Sequence, residues 1–203
     1  MCILIDILLI FIAFYSESFN MIVFASQYRG VDGGTGRKKF GGSDLKDVLK
    51  LIDLCSKFSF VDMNKLYMIG GYRGRMMTYM ALPEDDRIKK DIVVSGVFDA
   101  FMNYEYSDEA MRKEVYEDLI GGSSEEMPDE YKKRSATYWA DEIKSPVLII
   151  HSKQDKRVSY AEAEKMAEAL KKAGKEYKFV TYNDDLHRFH EEDLDVILEW
   201  LRN

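Results

Sequence analysis

The chain has 203 residues, 46% of them hydrophobic, and its 36 acidic and 29 basic residues give a net charge of −7. This apolar content is enough for one domain with a sizeable core, which we predict to span residues 1–203. No long basic block stands out, so the composition argues against a protein that binds nucleic acid or anionic membranes.

The cysteine content and the N-terminal segment bear on location. Cys2 and Cys55 do not make a disulfide framework, and no Cys-x-x-Cys motif occurs, so we predict a reducing, cytoplasmic compartment. Residues 1–19 form an apolar element to which the sequence assigns no role. Its first 15 residues lack the features of a signal peptide and are too short, with Asp6 near their middle, for a membrane span. We predict that residues 1–15 are a buried element, with membrane association as the alternative.

Apolar runs alternate with helical patterns along the chain. Strands are predicted at residues 21–25, 66–69, 91–96, 146–151 and 178–182, and helices at residues 43–58, 75–82, 161–173 and 191–201. Ser43 is the predicted N-cap of the first helix, and Gly174 ends the third in a left-handed conformation. The segment 98–138 is predicted to form helical excursions above the sheet. This order indicates an α/β fold: a mainly parallel sheet with helices on both faces and ligand sites at the carboxyl ends of its strands.

Residues 65–82 organise the chain. A strand runs into Gly70-Gly71-Tyr72-Arg73-Gly74, and a helical pattern restarts at Arg75. This strand–turn–helix pattern is typical of the nucleophile elbow of α/β-hydrolases, where Gly-x-Ser-x-Gly lets the backbone turn sharply and presents the serine. Here Tyr72 stands at the serine position. Asp155 and His187 each follow a later strand, which gives the order nucleophile, acid, histidine of that fold.

Further motifs resemble the peptidase domain of the prolyl oligopeptidase family, near its acylaminoacyl- and dipeptidyl-peptidase members. The matching stretches are Tyr28-Arg29-Gly30, Gly70-Gly71-x-x-Gly74 with Met77-Thr78, Ser95-Gly96-Val97, Gly121-Gly122, Arg134-Ser135, Ser145-Pro146 and Asp155-x-Arg157-Val158. They cover about residues 20–203 in register. The resemblance implies an α/β-hydrolase fold shortened at its N-terminus, with Asp155 as the acid and His187 as the general base. It also implies a peptide or acyl-ester-like small substrate and neither cofactor nor metal.

The sequence departs from the family pattern at the predicted site. The phenol of Tyr72 cannot simply replace a serine hydroxyl, and the elbow's positive φ is costly for a bulky residue. Arg75 adds bulk where the family has a small glycine. Residues 3–19, expected to begin the chain as its first helix, stand where the family has a His-Gly-Gly-Pro-like oxyanion turn. Only the backbone N–H of Arg73 then remains for an oxyanion, and losing one donor costs about two to three orders of magnitude in rate.

We therefore predict a serine peptidase homologue that is catalytically impaired or inactive, a pseudoenzyme. Two alternatives stay open. The chain could be an active peptidase or esterase that uses His187 and Asp155 with another nucleophile or with water, or it could be a non-catalytic binding module. His187 and His190, three residues apart among acidic residues, also allow a metal site. We do not adopt that interpretation, because no third ligand is fixed by the sequence.

Overall fold

A computed structural model describes residues 2–5, 16–17, 19–25, 29–30, 33–70 and 74–202. Its described strands, β1 to β6 in chain order, are Cys2–Ile5, Ile22–Ala25, Leu66–Gly70, Lys90–Val94, Val147–Ser152 and Tyr177–Tyr182. They form one sheet in the order β2-β1-β3-β4-β5-β6, and each neighbouring pair is parallel. The predicted α/β class with a mainly parallel sheet is confirmed.

Helices connect these strands. The described α-helices of six or more residues, α1 to α6, are Leu45–Cys55, Gly74–Ala81, Ala100–Tyr106, Pro128–Lys133, Tyr160–Lys172 and Asp193–Arg202. Between α3 and α4 lie the short α-helical segments Glu109–Met111 and Asp118–Ile120, joined by the π-helical Arg112–Glu117. Single 3-10 turns occur at Met63–Lys65, Ala136–Tyr138 and Ala140–Glu142. The predicted helical excursions between residues 98 and 138 are thus present.

The sheet is covered on both faces because its side chains alternate in direction. On β4, Val93 belongs to one core cluster, whereas Ile92 and Val94 belong to the other. The first cluster receives α1, α2 and α5, and the second receives α6. A third cluster, rich in tyrosine, joins the excursion helices to Phe40 and Met76. Strands buried on both faces explain why their sequences are nearly continuous apolar runs.

The N-terminal prediction requires a correction. Cys2–Ile5 is strand β1, paired with both β2 and β3, and not the beginning of a helix. A run of apolar residues that includes two isoleucines suits a strand with a neighbour on each side, where its backbone groups find partners in both directions. Residues 16, 17 and 19 are helical. Residues 1, 6–15 and 18 lie outside the described part, so the burial predicted for residues 1–15 stays a prediction.

The predicted helix ends are partly right. The helix predicted from Ser43 begins at Leu45, and its cap residue is Asp44, which makes no side-chain cap bond. Ser43 instead accepts a hydrogen bond from Arg29, which takes its hydroxyl away from the helix end. Gly174 has φ +67°, as predicted for a left-handed terminator. Among the described helices, none has both the length and the apolar character needed to cross a bilayer.

Candidate functional site

The turn after β5 holds a buried carboxylate. Oδ1 of Asp155 accepts the backbone N–H groups of Arg157 at 2.8 Å and Val158 at 3.1 Å, which closes a turn around the side chain. The hydroxyl of Tyr106, from α3, donates to the carbonyl oxygen of Asp155 at 3.1 Å. Asp155 is only 3% exposed. The position of Asp155 and the direction of its second carboxylate oxygen, Oδ2, are therefore fixed by its own turn and by the excursion helices.

His187 lies in the loop that joins β6 to α6. Its Nδ1 donates to Oδ2 of Asp155 over 2.8 Å. Sequence reasoning placed the two residues at the ends of separate strands, and the structure brings them into direct contact, because β5 and β6 are neighbours in the sheet. A carboxylate on Nδ1 fixes the tautomer of the imidazole and leaves Nε2 as the outward-facing nitrogen.

The ionisation of Asp155 follows from competing effects. Burial alone would raise its pKa, but the hydrogen bonds from His187 and from the backbone N–H groups of Arg157 and Val158 favour the charged form. Together they outweigh burial and hold the pKa of Asp155 below its ordinary value. The carboxyl group is therefore an anion that can only accept hydrogen bonds, which agrees with the Nδ1–H tautomer of His187.

Arg75 occupies the other nitrogen of the imidazole. This residue follows the elbow in the first turn of α2 and is 2% exposed. Its Nη1 donates to Nε2 of His187 over 2.6 Å and to the carbonyl oxygen of Ser95 over 2.8 Å. A guanidinium carries donors only, so Nε2 must be the acceptor. The sequence predicted only that Arg75 adds bulk beside the elbow, and it did not predict this contact. The available signal was a long, positively charged side chain at a position where the family has glycine.

Ser95 supplies the second anchor for that guanidinium. It directly follows β4, is buried, and has φ +52°, a left-handed conformation that is uncommon for residues other than glycine. The strained backbone turns the carbonyl oxygen of Ser95 toward Arg75. The ends of β4, β5 and β6 therefore each contribute to one cluster, together with the start of α2.

His151 lies behind the acid turn. It is fully buried within β5, and its Nε2 donates to the carbonyl oxygen of Val158 at 3.1 Å. Burial lowers the pKa of His151, so its imidazole is neutral near pH 7. His151 is the last residue of the strand predicted at residues 146–151. The structure adds that it braces the turn that holds Asp155.

The nucleophile position itself lies outside the described residues, since these omit Gly71, Tyr72 and Arg73. The flanking backbone is tight: a Cβ on Gly70 would lie 2.7 Å from Cα of Arg75 and 2.6 Å from Oγ1 of Thr78. β3 and α2 thus approach so closely that only glycine fits at the end of the strand. This is the spacing that a sharp strand-to-helix elbow requires.

The buried carboxylate of Asp155 orients His187 as in an acid–base pair. The buried guanidinium of Arg75 donates a hydrogen bond to Nε2 of His187, the nitrogen that would otherwise exchange a proton. Among the described residues, no three histidine, cysteine or acidic side chains are grouped as a metal would require.

Comparisons with known proteins agree with this architecture. A sequence model described as the prolyl oligopeptidase family matches residues 11–203. The uncharacterized peptidase YtmA of Bacillus subtilis is 28% identical over 197 residues, which cover 95% of this chain and 75% of YtmA. The uncharacterized peptidase YuxL of the same organism is 29% identical over 161 residues, which cover 74% of this chain but 23% of YuxL.

Solved structures share the fold. A puromycin-hydrolyzing peptidase of Mycobacterium tuberculosis superposes with a TM-score of 0.81 at 21% identity, over 98% of this chain and 33% of that one. The acylaminoacyl peptidase of Pyrococcus horikoshii gives a TM-score of 0.75 at 21% identity, over 89% of this chain and 32% of that one. The chain thus spans about a third of these larger proteins. Since the family pattern matches nearly its whole length, the chain belongs to the prolyl oligopeptidase family.

Proposed function

We propose that this chain is a family member that keeps the peptidase fold and the Asp155–His187 pair but does not turn over substrates as a serine peptidase. The observation that carries the proposal is the hydrogen bond from Arg75 to Nε2 of His187. In a serine hydrolase that nitrogen accepts the proton of the nucleophile. An arginine cannot be that nucleophile, because it has no proton to give up near neutral pH.

The cost of freeing the histidine can be estimated. A hydrogen bond to a charged group contributes about 1.5–3 kcal/mol, and the buried guanidinium would lose the acceptor Nε2 if His187 turned away. That barrier alone slows proton transfer by about 10- to 150-fold. It adds to the absence of serine at position 72.

The ligand we propose for this site is a peptide or an acyl-ester-like small molecule, which binds without turnover. The inference rests on the relatives, two of which are described as peptidases and another as a puromycin-hydrolyzing peptidase. A chain of this kind acts as a non-catalytic binding module.

The intact Asp155–His187 contact favours a second candidate, a hydrolase of labile esters in which His187 activates a water molecule. This reaction also needs Nε2, so Arg75 would have to leave it. The second candidate therefore predicts a slow, His187-dependent esterase activity.

Two measurements separate the candidates. A fluorophosphonate probe reacts with activated serine nucleophiles, and we expect no labelling of the purified chain above that of heat-denatured protein. Hydrolysis of p-nitrophenyl acetate is then compared between the chain and His187→Ala, with equal rates expected. Labelling at any residue would overturn the proposal, and a rate that falls in His187→Ala would favour the water-based esterase.

A further inference from the structure

The loop between β6 and α6 carries His187, and a second histidine lies near its far end. Nε2 of His190 lies 3.0 Å from Oδ2 and 3.2 Å from Oδ1 of Asp184, the second residue of the loop. The same nitrogen is 3.5 Å from Oγ of Ser152, at the end of β5. The imidazole therefore connects both ends of the loop to each other and to the end of β5.

The imidazole of His190 is held from two further sides. Its ring stacks on Tyr182, the last residue of β6, with ring centroids 3.8 Å apart and planes inclined by 22°. The backbone N–H of His190 donates to Oδ2 of Asp193 at 2.9 Å, and Oδ1 of the same carboxylate accepts the hydroxyl of Tyr182 at 2.8 Å. His190 is thus locked between the end of β6 and the start of α6.

The beginning of the loop is fastened to the acid turn. The backbone N–H of Gln154 donates to the carbonyl oxygen of Asp184 at 2.9 Å, and Oδ1 of Asp184 accepts the N–H of Leu186 at 3.1 Å. Asp184 therefore fixes the backbone immediately before His187 and ties it to the residue immediately before Asp155. The bond to His190 completes this ring of contacts.

We propose that His190 is a positioning residue: by closing the loop through Asp184, it holds Nδ1 of His187 on Oδ2 of Asp155. The inference rests on the role proposed for His187 as the histidine of an acid–base pair, but not on whether the chain turns over a substrate. It also explains the His187–His190 spacing. The second histidine serves the first through a hydrogen-bonded carboxylate.

The loop that carries His187 has conformational freedom that a contact between its ends would restrict. His187 is held by its two imidazole hydrogen bonds, and its loop has no secondary structure of its own between β6 and α6. Without a contact between its ends, the loop backbone would gain conformations in which Nδ1 of His187 no longer faces Asp155. Forming the His187–Asp155 hydrogen bond would then cost the entropy of ordering the loop. The Asp184–His190 contact reduces that freedom in advance.

The test reads the His187–Asp155 hydrogen bond directly. The hydrogen-bonded Nδ1 proton of His187 gives a downfield proton NMR signal, which is assigned by its loss in His187→Gln and in Asp155→Asn. In His190→Ala we expect its exchange with water to rise about tenfold, the factor expected when one hydrogen bond is lost. His190→Gln keeps a side-chain donor for Asp184 and should retain most of the protection.

Neighbouring aspartates provide a matched control. Asp184→Asn removes the charged acceptor and should also speed exchange. Asp185→Asn changes an exposed carboxylate that pairs only with Lys156 among the described residues, at 3.3 Å, and should leave exchange unchanged. If His190→Ala does not fold, as judged by circular dichroism, Asp184→Asn decides the question.

Unchanged exchange in folded His190→Ala, or equal effects of Asp184→Asn and Asp185→Asn, would overturn the inference. If the chain does turn over substrates as a serine peptidase, fluorophosphonate labelling will show it. The NMR signal of the Nδ1 proton does not depend on that outcome.

Discussion

Nη1 of Arg75 lies 2.6 Å from Nε2 of His187, the nitrogen that a serine hydrolase keeps open for the proton of its nucleophile. The two residues are far apart in the chain and meet because α2 begins beside the carboxyl ends of β4 to β6. The contact leaves the histidine correctly oriented by Asp155 but already occupied. The proposed loss of turnover then has a structural basis beyond the replacement of a serine.

Asp155 should stabilise the fold as well as orient His187. Asp155→Asn removes the charge that three N–H donors recognise, and we expect it to cost on the order of 1–3 kcal/mol at pH 7. Because hydrogen bonding depresses the pKa of Asp155, its contribution is present above the unfolded value, about 4, and is lost as the pH falls through the folded value. Urea unfolding between pH 3 and pH 7 should therefore show the two proteins converging in acid. A constant difference across that range would contradict the assignment.

Glu162 should make the fold less stable at alkaline pH. It is fully buried on α5, where its carboxyl group accepts the side-chain amide of Asn103 at 3.0 Å and two backbone N–H groups. Burial outweighs these bonds and raises the pKa of Glu162 to about 8. The folded chain then binds a proton that the unfolded chain releases near pH 4.5, so this stabilisation is complete below that pH and is lost as the pH rises through about 8.

Glu162→Gln tests this by removing the titration while keeping the shape of the side chain. Between pH 5 and pH 8.5 the wild-type free energy of unfolding should fall by about 2–4 kcal/mol relative to that of the variant, as judged by urea denaturation. Glu164→Gln, on the same helix but exposed, is the control and should follow the wild type. Parallel curves for wild type and Glu162→Gln would refute a raised pKa at this residue.

Close approach of β3 and α2 should make Gly70 intolerant of a side chain. In Gly70→Ala the new Cβ would meet backbone atoms of Arg75 at 2.7 Å, and relieving that clash should cost about 1–3 kcal/mol. Gly174→Ala is the matched comparison, because that residue has φ +67° with open space around it. Its cost is conformational only, about 1 kcal/mol. Thermal unfolding should rank Gly70→Ala below Gly174→Ala, and the reverse order would show that the elbow is loosely packed.

Much of the fold followed from the sequence because strands buried on both faces appear as apolar runs between helical patterns. Asp155 and His187 were placed together for the same reason, since each follows one of two adjacent strands. β1 was missed because Cys2–Ile5 begins a longer apolar stretch that contains no turn signal to end the strand. Adjacent Ser43 and Asp44 are both good capping residues, so the pattern could not choose the helix start.

Long side chains account for what the sequence did not reveal at the site. The reach of Arg75 to His187 depends on its rotamer and on the strained turn at Ser95, neither of which leaves a periodic signal. In the sequence, His190 was notable only because it lies three residues after His187. Only the folded loop shows that its imidazole contacts Asp184. The roles of Tyr72 and of the N–H of Arg73 stay predictions, because those residues lie outside the described part.

The most direct test of the blocked histidine is the rate of fluorophosphonate labelling in a two-by-two series of wild type, Tyr72→Ser, Arg75→Gly and Tyr72→Ser/Arg75→Gly. We expect wild type and Arg75→Gly to remain unlabelled, since neither has a serine at the elbow. Tyr72→Ser should react slowly, and the double variant at least about tenfold faster, because removing the guanidinium frees Nε2 of His187. Equal labelling of Tyr72→Ser and the double variant would show that Arg75 does not block the histidine.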